Sequence, residues 1–408
     1  MSNKVDNIAN EGNQLGVFKT PFDSNRAIFE DAIKEALKKI DMKLDKYTDQ
    51  FPDDHTENKI YLPRKAYRDD LKPGANVGWT TGFWTGMLWL AYEVTGDEKY
   101  RKVAEVHVDS FGERMEKKIG IDTHDLGFLY TLSCVSAYKL TGSEKAKEIA
   151  LKAADHLMTR YFEKAGIIQA WGNLNDPNQR GRIIIDCLMN LPLLYWATEV
   201  TGDEKYKDAA HNHALKTLAH IVREDATTHH TFYFDTETGE PRFGKTHQGY
   251  SDESCWARGQ AWGVYGFPLS YKFTKDGKIL DGSLKVTNYF LNQSPEDLVA
   301  YWDLSFSDGS GEVRDSSASS IAVCGLFELA KSVQNDETNK YYENAALKIL
   351  QSLYENYSSK NEEQAEGLLL EGVYNRNTNS GVHEANLWGD YFYFEALVRA
   401  TRDWKLYW

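Results

Sequence analysis

Several features that would mark a particular class of protein are scarce in this sequence of 408 residues. It contains four cysteines, at positions 134, 187, 255 and 324, and no two of them form a CxxC pair. This spacing excludes a disulfide framework and a zinc knuckle. Proline is limited to nine residues, and the composition is otherwise that of an ordinary globular protein, without disordered or collagen-like bias.

Signals for export and for membrane insertion are also missing. The first twenty residues lack the basic start and the apolar run of a secretory signal peptide. No apolar stretch approaches the roughly 20 residues that a membrane-spanning helix needs. We therefore expect a cytoplasmic protein with reduced thiols and no membrane partner.

Positive charge is in deficit, because 47 Lys and Arg face 61 Asp and Glu, for a net charge of −14. Nucleic acids and anionic membrane surfaces both need a positive footprint, so neither is expected as a partner. Aromatic residues, in contrast, are abundant, with 18 Phe, 11 Trp and 24 Tyr. They either fill a core or line a site that stacks flat ligands.

The most informative pattern is a turn that recurs along the chain. The sequence TGDEKY occupies Thr95–Tyr100 and again Thr201–Tyr206, and looser variants occur at 141–146 and 274–278. In the closest copies the glycine suits the left-handed position that ends one helix, and the following Asp or Ser suits the cap of the next helix. The repeat predicts a series of tight helical hairpins.

Apolar and amphipathic segments alternate around these turns. Six apolar, aromatic-rich segments predict buried helices near 79–95, 125–141, 186–201, 256–274, 315–333 and 387–402. Six amphipathic segments predict outer helices near 24–47, 97–115, 143–161, 203–222, 278–293 and 336–357. Apart from a small hairpin over 233–239, no set of strands competes with this all-α pattern.

Six inner and six outer helices in alternation predict an (α/α)6 barrel over 24–408, a single catalytic domain, preceded by an N-terminal tail over 1–23. An open solenoid is the alternative, but a solenoid needs polar caps at its ends, and the final residues DWKLYW make a poor cap. Long loops on a rigid scaffold usually carry function. We therefore expect the active site at the N-terminal ends of the inner helices, because the long connections precede those helices, at 48–78, 162–185, 223–255 and 358–386.

Two aspartates open neighbouring inner helices on that face. Asp125 and Asp186 stand at equivalent repeat positions before Thr141 and Thr201, so closure of the ring in chain order would make them neighbours. Paired carboxylates in different environments are typical of acid–base chemistry on sugars. Aspartate is also a favoured helix cap, and both interpretations stay open here, whereas Asp315 in the same repeat position is interpreted as a cap.

Polar and aromatic residues in the same region extend the candidate site. Arg258 and Trp262 lie four residues apart on one helical face, which suits an anionic group on a flat ring. An Arg–carboxylate pair beside a core Trp would give the same pattern. No nucleotide-binding glycine motif occurs, and we expect no cofactor. No metal is expected either, because ligand spacing is missing among the loop histidines His229, His230, His247 and His383.

Three motifs give the sequence a family resemblance. They are THDLGF at 123–128, IDCLMN at 185–190 and WARGQAW at 256–262. With them, the chain from about residue 25 onward resembles the unsaturated glucuronyl hydrolases of glycoside hydrolase family 88. The resemblance implies an (α/α)6 barrel that needs no metal or cofactor. It also implies removal of the Δ4,5-unsaturated uronic acid that polysaccharide lyases leave at the non-reducing end of oligosaccharides.

The resemblance further implies roles for individual residues. Asp186 matches the acid/base that protonates C-4 of the vinyl ether and activates the water that adds at C-5. Asp125 matches the second essential carboxylate, which holds ring hydroxyls and helps to keep Asp186 protonated. Stacking platforms and polar contacts to the sugar are implied at Trp79, His124, Trp171, His230, His247, Gln248, Arg258 and Trp262.

The identity of the oligosaccharide is less constrained. Relatives that accept sulfated substrates carry an Arg near the position of His247 and a Ser-x-x-Ser-x-Lys run in the final loop. This sequence has neither, which argues against a strong preference for sulfated substrates. The alternatives are an unsaturated rhamnogalacturonyl hydrolase on the same barrel, a sugar 2-epimerase that uses His for proton abstraction, and a non-catalytic helical scaffold.

Overall fold

In the computed structural model, which describes residues 15–22, 26–66 and 68–408, helices alternate between an inner and an outer ring. After a short helix α1 (Leu15–Lys19), the outer helices are α2 (Ala27–Leu44), α4 (Glu98–Glu116), α7 (Glu144–Met158), α9 (Glu204–His220), α11 (Gly277–Asn292) and α13 (Asp336–Ser352). The inner helices are α3 (Thr81–Thr95), α5 and α6 (Leu126–Tyr130 and Ser136–Thr141), α8 (Pro192–Thr201), α10 (Ala257–Thr274), α12 (Ser316–Ser332) and α14 (Leu387–Thr401). The predicted (α/α)6 barrel is confirmed.

The repeated turns connect inner to outer helices as the sequence predicts. Gly96 and Gly202 end α3 and α8 in the left-handed conformation, at φ of 70° and 75°. Asp97 and Asp203 then cap α4 and α9, since each carboxylate accepts a hydrogen bond from the backbone N–H two residues later. These two satisfied termini explain why the hairpin needs so few residues.

The inner helices are buried almost all round and close the ring in chain order. Each of them contacts the next, and α14 contacts α3. Glycines allow the close backbone approach. A Cβ on Gly127 would lie 2.2 Å from Asn190 Cα, and a Cβ on Gly325 would lie 2.5 Å from the carbonyl oxygen of Val264. The ring therefore closes because small residues stand where neighbouring inner helices touch.

The long connections at the N-terminal ends of the inner helices carry the strands. A small pair joins β1 (Tyr161–Phe162) to β2 (Ile167–Ile168), and a three-stranded antiparallel sheet contains β3 (Arg182–Ile184), β4 (Thr231–Phe234) and β5 (Pro241–Lys245). The predicted hairpin over 233–239 is misplaced, because residues 236–239 form its turn. The sheet was also larger than expected, since β3 comes from a different loop.

The opposite end of the barrel is filled by the residues that follow α14. The Trp408 ring stacks on Phe392, with centroids 5.9 Å apart, and meets Phe128 edge-on. Its indole N–H donates to Glu395 Oε2 at 2.9 Å. Trp408 thus packs beneath the aromatic residues that support the loop-bearing face.

Other sequence-based expectations have mixed outcomes. The division into a tail over 1–23 and a barrel over 24–408 stays a prediction. Within that tail, α1 contacts α13 and Phe18 is buried. All four cysteines are buried and unpaired. Among the helices of the described residues, none combines the length and apolarity that a bilayer crossing requires.

Candidate active site

A cavity of about 470 Å³ opens where the long loops surround the N-terminal ends of the inner helices. All ten residues predicted for the site line it, although they come from separate stretches of the chain. Their individual roles stay predictions. The ten residues are Trp79, His124, Asp125, Trp171, Asp186, His230, His247, Gln248, Arg258 and Trp262.

The three repeat-position aspartates differ in what their carboxylates do. Asp315 accepts a hydrogen bond from the Ser317 N–H at 3.1 Å and caps α12, as its position predicts. Asp125 directly precedes α5, and Asp186 lies in a 3₁₀ turn over Ile185–Met189 that follows β3, yet neither side chain caps its helix. Neither carboxylate is therefore occupied by the N-terminus of its own helix.

His124 bridges the two aspartates. Its Nε2 lies 3.3 Å from Asp125 Oδ1 and 3.5 Å from Asp186 Oδ1, and the ring is buried. Asp125 also accepts a hydrogen bond from the Thr123 hydroxyl at 2.6 Å. Asp186 Oδ1 and His124 Nδ1 are buried without a hydrogen-bond partner. Asp186 is thus the less satisfied of the two carboxylates.

These surroundings shift the pKa values of the two carboxyl groups in opposite directions. Burial raises the pKa of Asp186 to about 6; the nearby charge of Asp125 raises it as well, while His124 opposes the rise. Burial would also raise the pKa of Asp125, but the charge of His124 and hydrogen bonds from His124 and Thr123 hold it below its ordinary value. The two carboxylates raise the pKa of His124 well above its ordinary value despite burial. At mildly acidic pH, one carboxyl group is protonated beside a carboxylate and an imidazolium.

The same trio is the one group of His, Cys, Asp or Glu in the described part of the chain whose geometry could hold a metal ion. Its ligand atoms lie within 4.8 Å of one another. A metal must displace the proton of a histidine ligand, and the raised pKa of His124 opposes that exchange. The absence of a metal stays a prediction.

The predicted stacking residues differ in accessibility. Trp79 is half-buried and stacks on Trp388, with centroids 5.0 Å apart. Trp262 lines the cavity but is almost fully buried and packs against Phe128. Trp171 is 38% exposed, and the Arg182 guanidinium lies 3.8 Å from its ring centroid. Trp79 and Trp171 therefore offer more ring surface to a sugar than Trp262 does.

The protonation state of His230 follows from its neighbours. Its Nδ1 accepts hydrogen bonds from the backbone N–H groups of His247 and Gln248, at 3.0 and 3.2 Å. A nitrogen that accepts from two fixed N–H groups carries no proton, so the proton lies on Nε2. Burial also lowers the pKa of His230 well below its ordinary value. His230 is a neutral hydrogen-bond donor.

Arg258 combines both interpretations offered for it. Its guanidinium lines the cavity, and it also pairs with buried Asp315 at 3.0 Å. It donates further hydrogen bonds to the carbonyl oxygens of Val373 and Tyr374, the latter at 2.8 Å. Arg258 therefore anchors the final loop as well as facing the site.

That final loop supplies residues that the sequence did not reveal. The long connection 358–386 was recognised, but its inward-facing positions depend on a turn in which the backbones of Asn375 and Ser380 pair. Gln248 joins this loop by donating to the Tyr374 carbonyl oxygen at 3.0 Å. The cavity residues missed by sequence reasoning are Ile184, Trp256, Tyr374, Asn375, Thr378 and Ser380.

Known proteins resemble this chain over most of its length. The family model described as Glycosyl Hydrolase Family 88 matches residues 44–401. The unsaturated chondroitin disaccharide hydrolase of Streptococcus agalactiae serotype III is 50% identical over 380 residues, which cover 93% of each sequence. The crystal structure of unsaturated glucuronyl hydrolase from Streptococcus agalactiae has a TM-score of 0.89 at 50% identity, with 94% of each chain covered. A solved structure of a UGL variant with dGlcA-Glc-Rha-Glc has a TM-score of 0.86 at 42% identity, covering 92% of this chain and 97% of that one.

Proposed function

The chain belongs to glycosyl hydrolase family 88, and we infer that it removes Δ4,5-unsaturated glucuronic acid from the non-reducing end of lyase-generated oligosaccharides. The observation that supports this function most directly is a pair of carboxyl groups, Asp186 and Asp125, whose pKa values are shifted in opposite directions. Asp186 has a raised pKa, while Asp125, joined to it through His124, stays ionised. Such a pair supplies one proton donor and one fixed negative charge.

The proposed reaction is hydration of the vinyl ether. Asp186 donates its proton to C-4, and the positive charge that develops at C-5 is shared with the ring oxygen. Water adds through its oxygen to C-5, and the proton that it loses returns to the Asp186 carboxylate. The hydroxyl at C-5 of the resulting hemiketal then loses its proton and becomes the 5-keto group, as the bond between C-5 and the ring oxygen breaks and the ring oxygen takes up a proton. This opening leaves a hemiacetal at C-1, which releases the partner sugar and a 4-deoxy-5-keto uronate.

The spacing of the pair weighs against displacement with inversion. An inverting glycosidase holds its carboxyl groups about 6.5–9.5 Å apart so that a water fits between them. Here one oxygen of each carboxylate lies within 4.8 Å of the other, with His124 in contact with both. In the proposed reaction Asp125 makes no covalent bond and instead holds ring hydroxyls and stabilises positive charge.

The proposed contacts to the unsaturated sugar follow from the cavity lining. Trp79 and Trp171 stack on sugar rings, with a smaller contribution from Trp262. His230 donates through Nε2, and Arg258 and Gln248 face the uronate carboxylate. A bound uronate adds a negative charge near Asp186, which raises the pKa of that acid further.

The geometry of His230 weighs against a 2-epimerase that would use this residue as its base. An epimerase of the kind considered needs a histidine that accepts a proton from carbon. Both nitrogens of His230 are committed, one to two backbone N–H groups and the other to its own proton. The rhamnogalacturonyl alternative is weakened by the relatives, which carry glucuronyl and chondroitin names.

A preference for unsulfated sugars is also proposed. Among the described residues, those that line the cavity include no lysine and one arginine, Arg258, which is paired with Asp315. The part of the final loop that lines the cavity carries neutral polar side chains, those of Asn375, Thr378 and Ser380. A sulfate there would find no unpaired cation in the lining.

The test is to incubate the protein with unsaturated disaccharides from chondroitin, hyaluronan and heparin and to follow the ultraviolet band of the double bond. We expect the band to disappear, faster for unsulfated than for 6-sulfated chondroitin disaccharide. An unchanged band with all three substrates would refute the function, and faster loss with the sulfated substrate would refute only the preference. The cytoplasmic location is tested separately by cell fractionation.

A further inference from the structure

Tyr250 lies outside the cavity and is unusually accessible. Its side chain is 62% exposed, the largest fraction among the large apolar and aromatic side chains of the described residues. It comes two residues after Gln248, which lines the cavity. The role assigned to the cavity leaves this aromatic residue unexplained.

The position of Tyr250 is nevertheless firmly held. Its backbone N–H donates to Asp303 Oδ2 at 2.9 Å, and the Ser254 hydroxyl donates to the same oxygen at 2.7 Å. Asp303 is fully buried. Behind the Tyr250 ring stand Phe306 and Trp302, with centroids 5.1 and 6.3 Å away, both edge-on. An exposed ring on a buried anchor is a preformed contact surface rather than a loose surface residue.

Tyr250 also stands where two loops of the cavity mouth meet. Gln248 donates to the Tyr374 carbonyl oxygen at 3.0 Å, and Asn377 donates to the Gly249 carbonyl oxygen at 2.9 Å. Gln248 and Tyr374 both line the cavity. Tyr250 therefore directly follows the residues through which these two loops are joined beside the cavity.

We propose that Tyr250, backed by Phe306 and Trp302, forms a distal subsite that stacks a sugar ring of longer substrates, beyond the sugar adjacent to the cleaved bond. The proposal rests on the proposed function, because it requires the unsaturated end to occupy the cavity. Amphipathic aromatic rings suit the apolar face of a sugar while leaving its hydroxyls in water.

The charges around Tyr250 define the class of sugar. Asp252 and Glu253 are exposed directly after it, and Glu312 accepts a hydrogen bond from the Trp302 indole at 3.0 Å. The nearby Arg376 guanidinium is paired with Glu312 at 3.3 Å. The Arg223 guanidinium donates to the Asp252 carbonyl oxygen at 2.7 Å. The carboxylates of Asp252, Glu253 and Glu312 still outnumber the two guanidinium groups, so the distal subsite takes a neutral or N-acetylated hexose rather than a sulfated sugar or a uronate.

The test compares an unsaturated disaccharide with an unsaturated tetrasaccharide in which every sugar after the unsaturated uronate is a neutral hexose, in wild type and in Tyr250→Ala. We expect kcat/KM for the tetrasaccharide to fall about fivefold to tenfold, mainly through KM, while the value for the disaccharide changes less than about twofold. Tyr250→Phe should retain wild-type values. Phe243→Ala removes another exposed aromatic side chain, on β5, and should leave kcat/KM unchanged for both substrates.

Two results would overturn the distal subsite. One is an equal loss on both substrates in Tyr250→Ala, which would indicate a general effect on the mouth loops. The other is an unchanged kcat/KM for the tetrasaccharide. A wild-type protein that fails on the disaccharide itself would overturn the proposed function instead, so the two failures are distinguishable.

Discussion

The barrel buries charged side chains at both of its ends, but the two ends leave them in different states. Near the C-terminal ends of the inner helices, Arg399 pairs with Glu395 at 2.9 Å and with Glu328 at 3.1 Å. Glu395 also accepts from the Tyr265 hydroxyl and from the Trp408 indole. At the mouth, His124 lies between two carboxylates, and one oxygen of Asp186 has no partner.

The paired cluster around Arg399 contributes to stability, whereas the carboxyl group of Asp186 at the mouth is suited to reaction. A buried ion costs several kcal/mol in lost hydration, and only complete pairing offsets that cost. The paired cluster at the far end achieves this and leaves no atom free for a ligand. The mouth accepts an incompletely satisfied carboxyl group, whose raised pKa is what proton transfer to a substrate needs. Changes at the two ends should therefore affect different properties.

Asp186→Asn should have the largest effect of any single change at the mouth. We expect kcat to fall about 10²–10⁴-fold, because the proton donor is lost. The free energy of unfolding at pH 7 should not fall. The raised pKa means that ionised Asp186 destabilises the fold above pH about 6, and Asn removes that charge. Loss of the ultraviolet band measures kcat, and urea denaturation measures stability. Normal activity in the variant would contradict the mechanism.

Arg399→Met should show the reverse pattern. Removing the cation leaves Glu395 and Glu328 buried without their partner, which should lower the free energy of unfolding by about 3–5 kcal/mol. The protein that remains folded should keep its kcat/KM, because the ion pairs and hydrogen bonds of Arg399 and Glu395 described above join residues outside the cavity lining. Thermal denaturation and activity per folded molecule test both halves. A large loss of activity with unchanged stability would show that the two ends are not separate.

The positive charge of His124 should affect the pH dependence of kcat/KM. In wild type, kcat/KM should fall as the pH rises above about 6, because Asp186 then loses the proton that it must donate. A neighbouring cation favours the ionised carboxylate. His124→Gln removes that cation, so the alkaline limb should move up by about one pH unit.

His230→Gln is the matched control for this profile. His230 is a neutral donor, and its replacement should raise KM without moving the alkaline limb. A downward shift in His124→Gln, or an equal shift in both variants, would contradict the bridging role of His124. Both profiles are measured as the pH dependence of kcat/KM.

The two ends also differ in how far they could be predicted from sequence. The far end is built from local turns such as Thr95–Tyr100, whose glycine and cap act within six residues. The sheet at the mouth was missed because β3 pairs Arg182–Ile184 with residues some fifty positions later, a contact that no local pattern encodes. The residues of the final loop that line the cavity were missed for the same reason, because their orientation depends on contacts with other loops.

The site itself was easier to predict where the repeat fixed the geometry. Asp125 and Asp186 meet because equivalent positions on neighbouring inner helices must do so once the ring closes. The cap predicted at Asp315 is confirmed, whereas the sequence left the choice open for Asp125 and Asp186, whose side chains cap no helix. The role of each aspartate depends on its partners in the fold. His124 lies between Asp125 and Asp186, and Arg258 pairs with Asp315.

The smallest expected effect tests the assumption that the far end contributes only stability. Gly202 and Gly96 occupy identical TGDEKY turns, both at positive φ, and a Cβ at either would meet no atom within 4 Å. Replacement by Ala therefore introduces backbone strain without a clash, and each variant should lose about 1 kcal/mol of unfolding free energy. The two losses should be equal, and kcat/KM should be unchanged, because both turns lie away from the cavity. Unequal losses in urea denaturation would show that the hairpins are not equivalent, and altered kcat/KM would show that strain at the far end reaches the carboxylate pair.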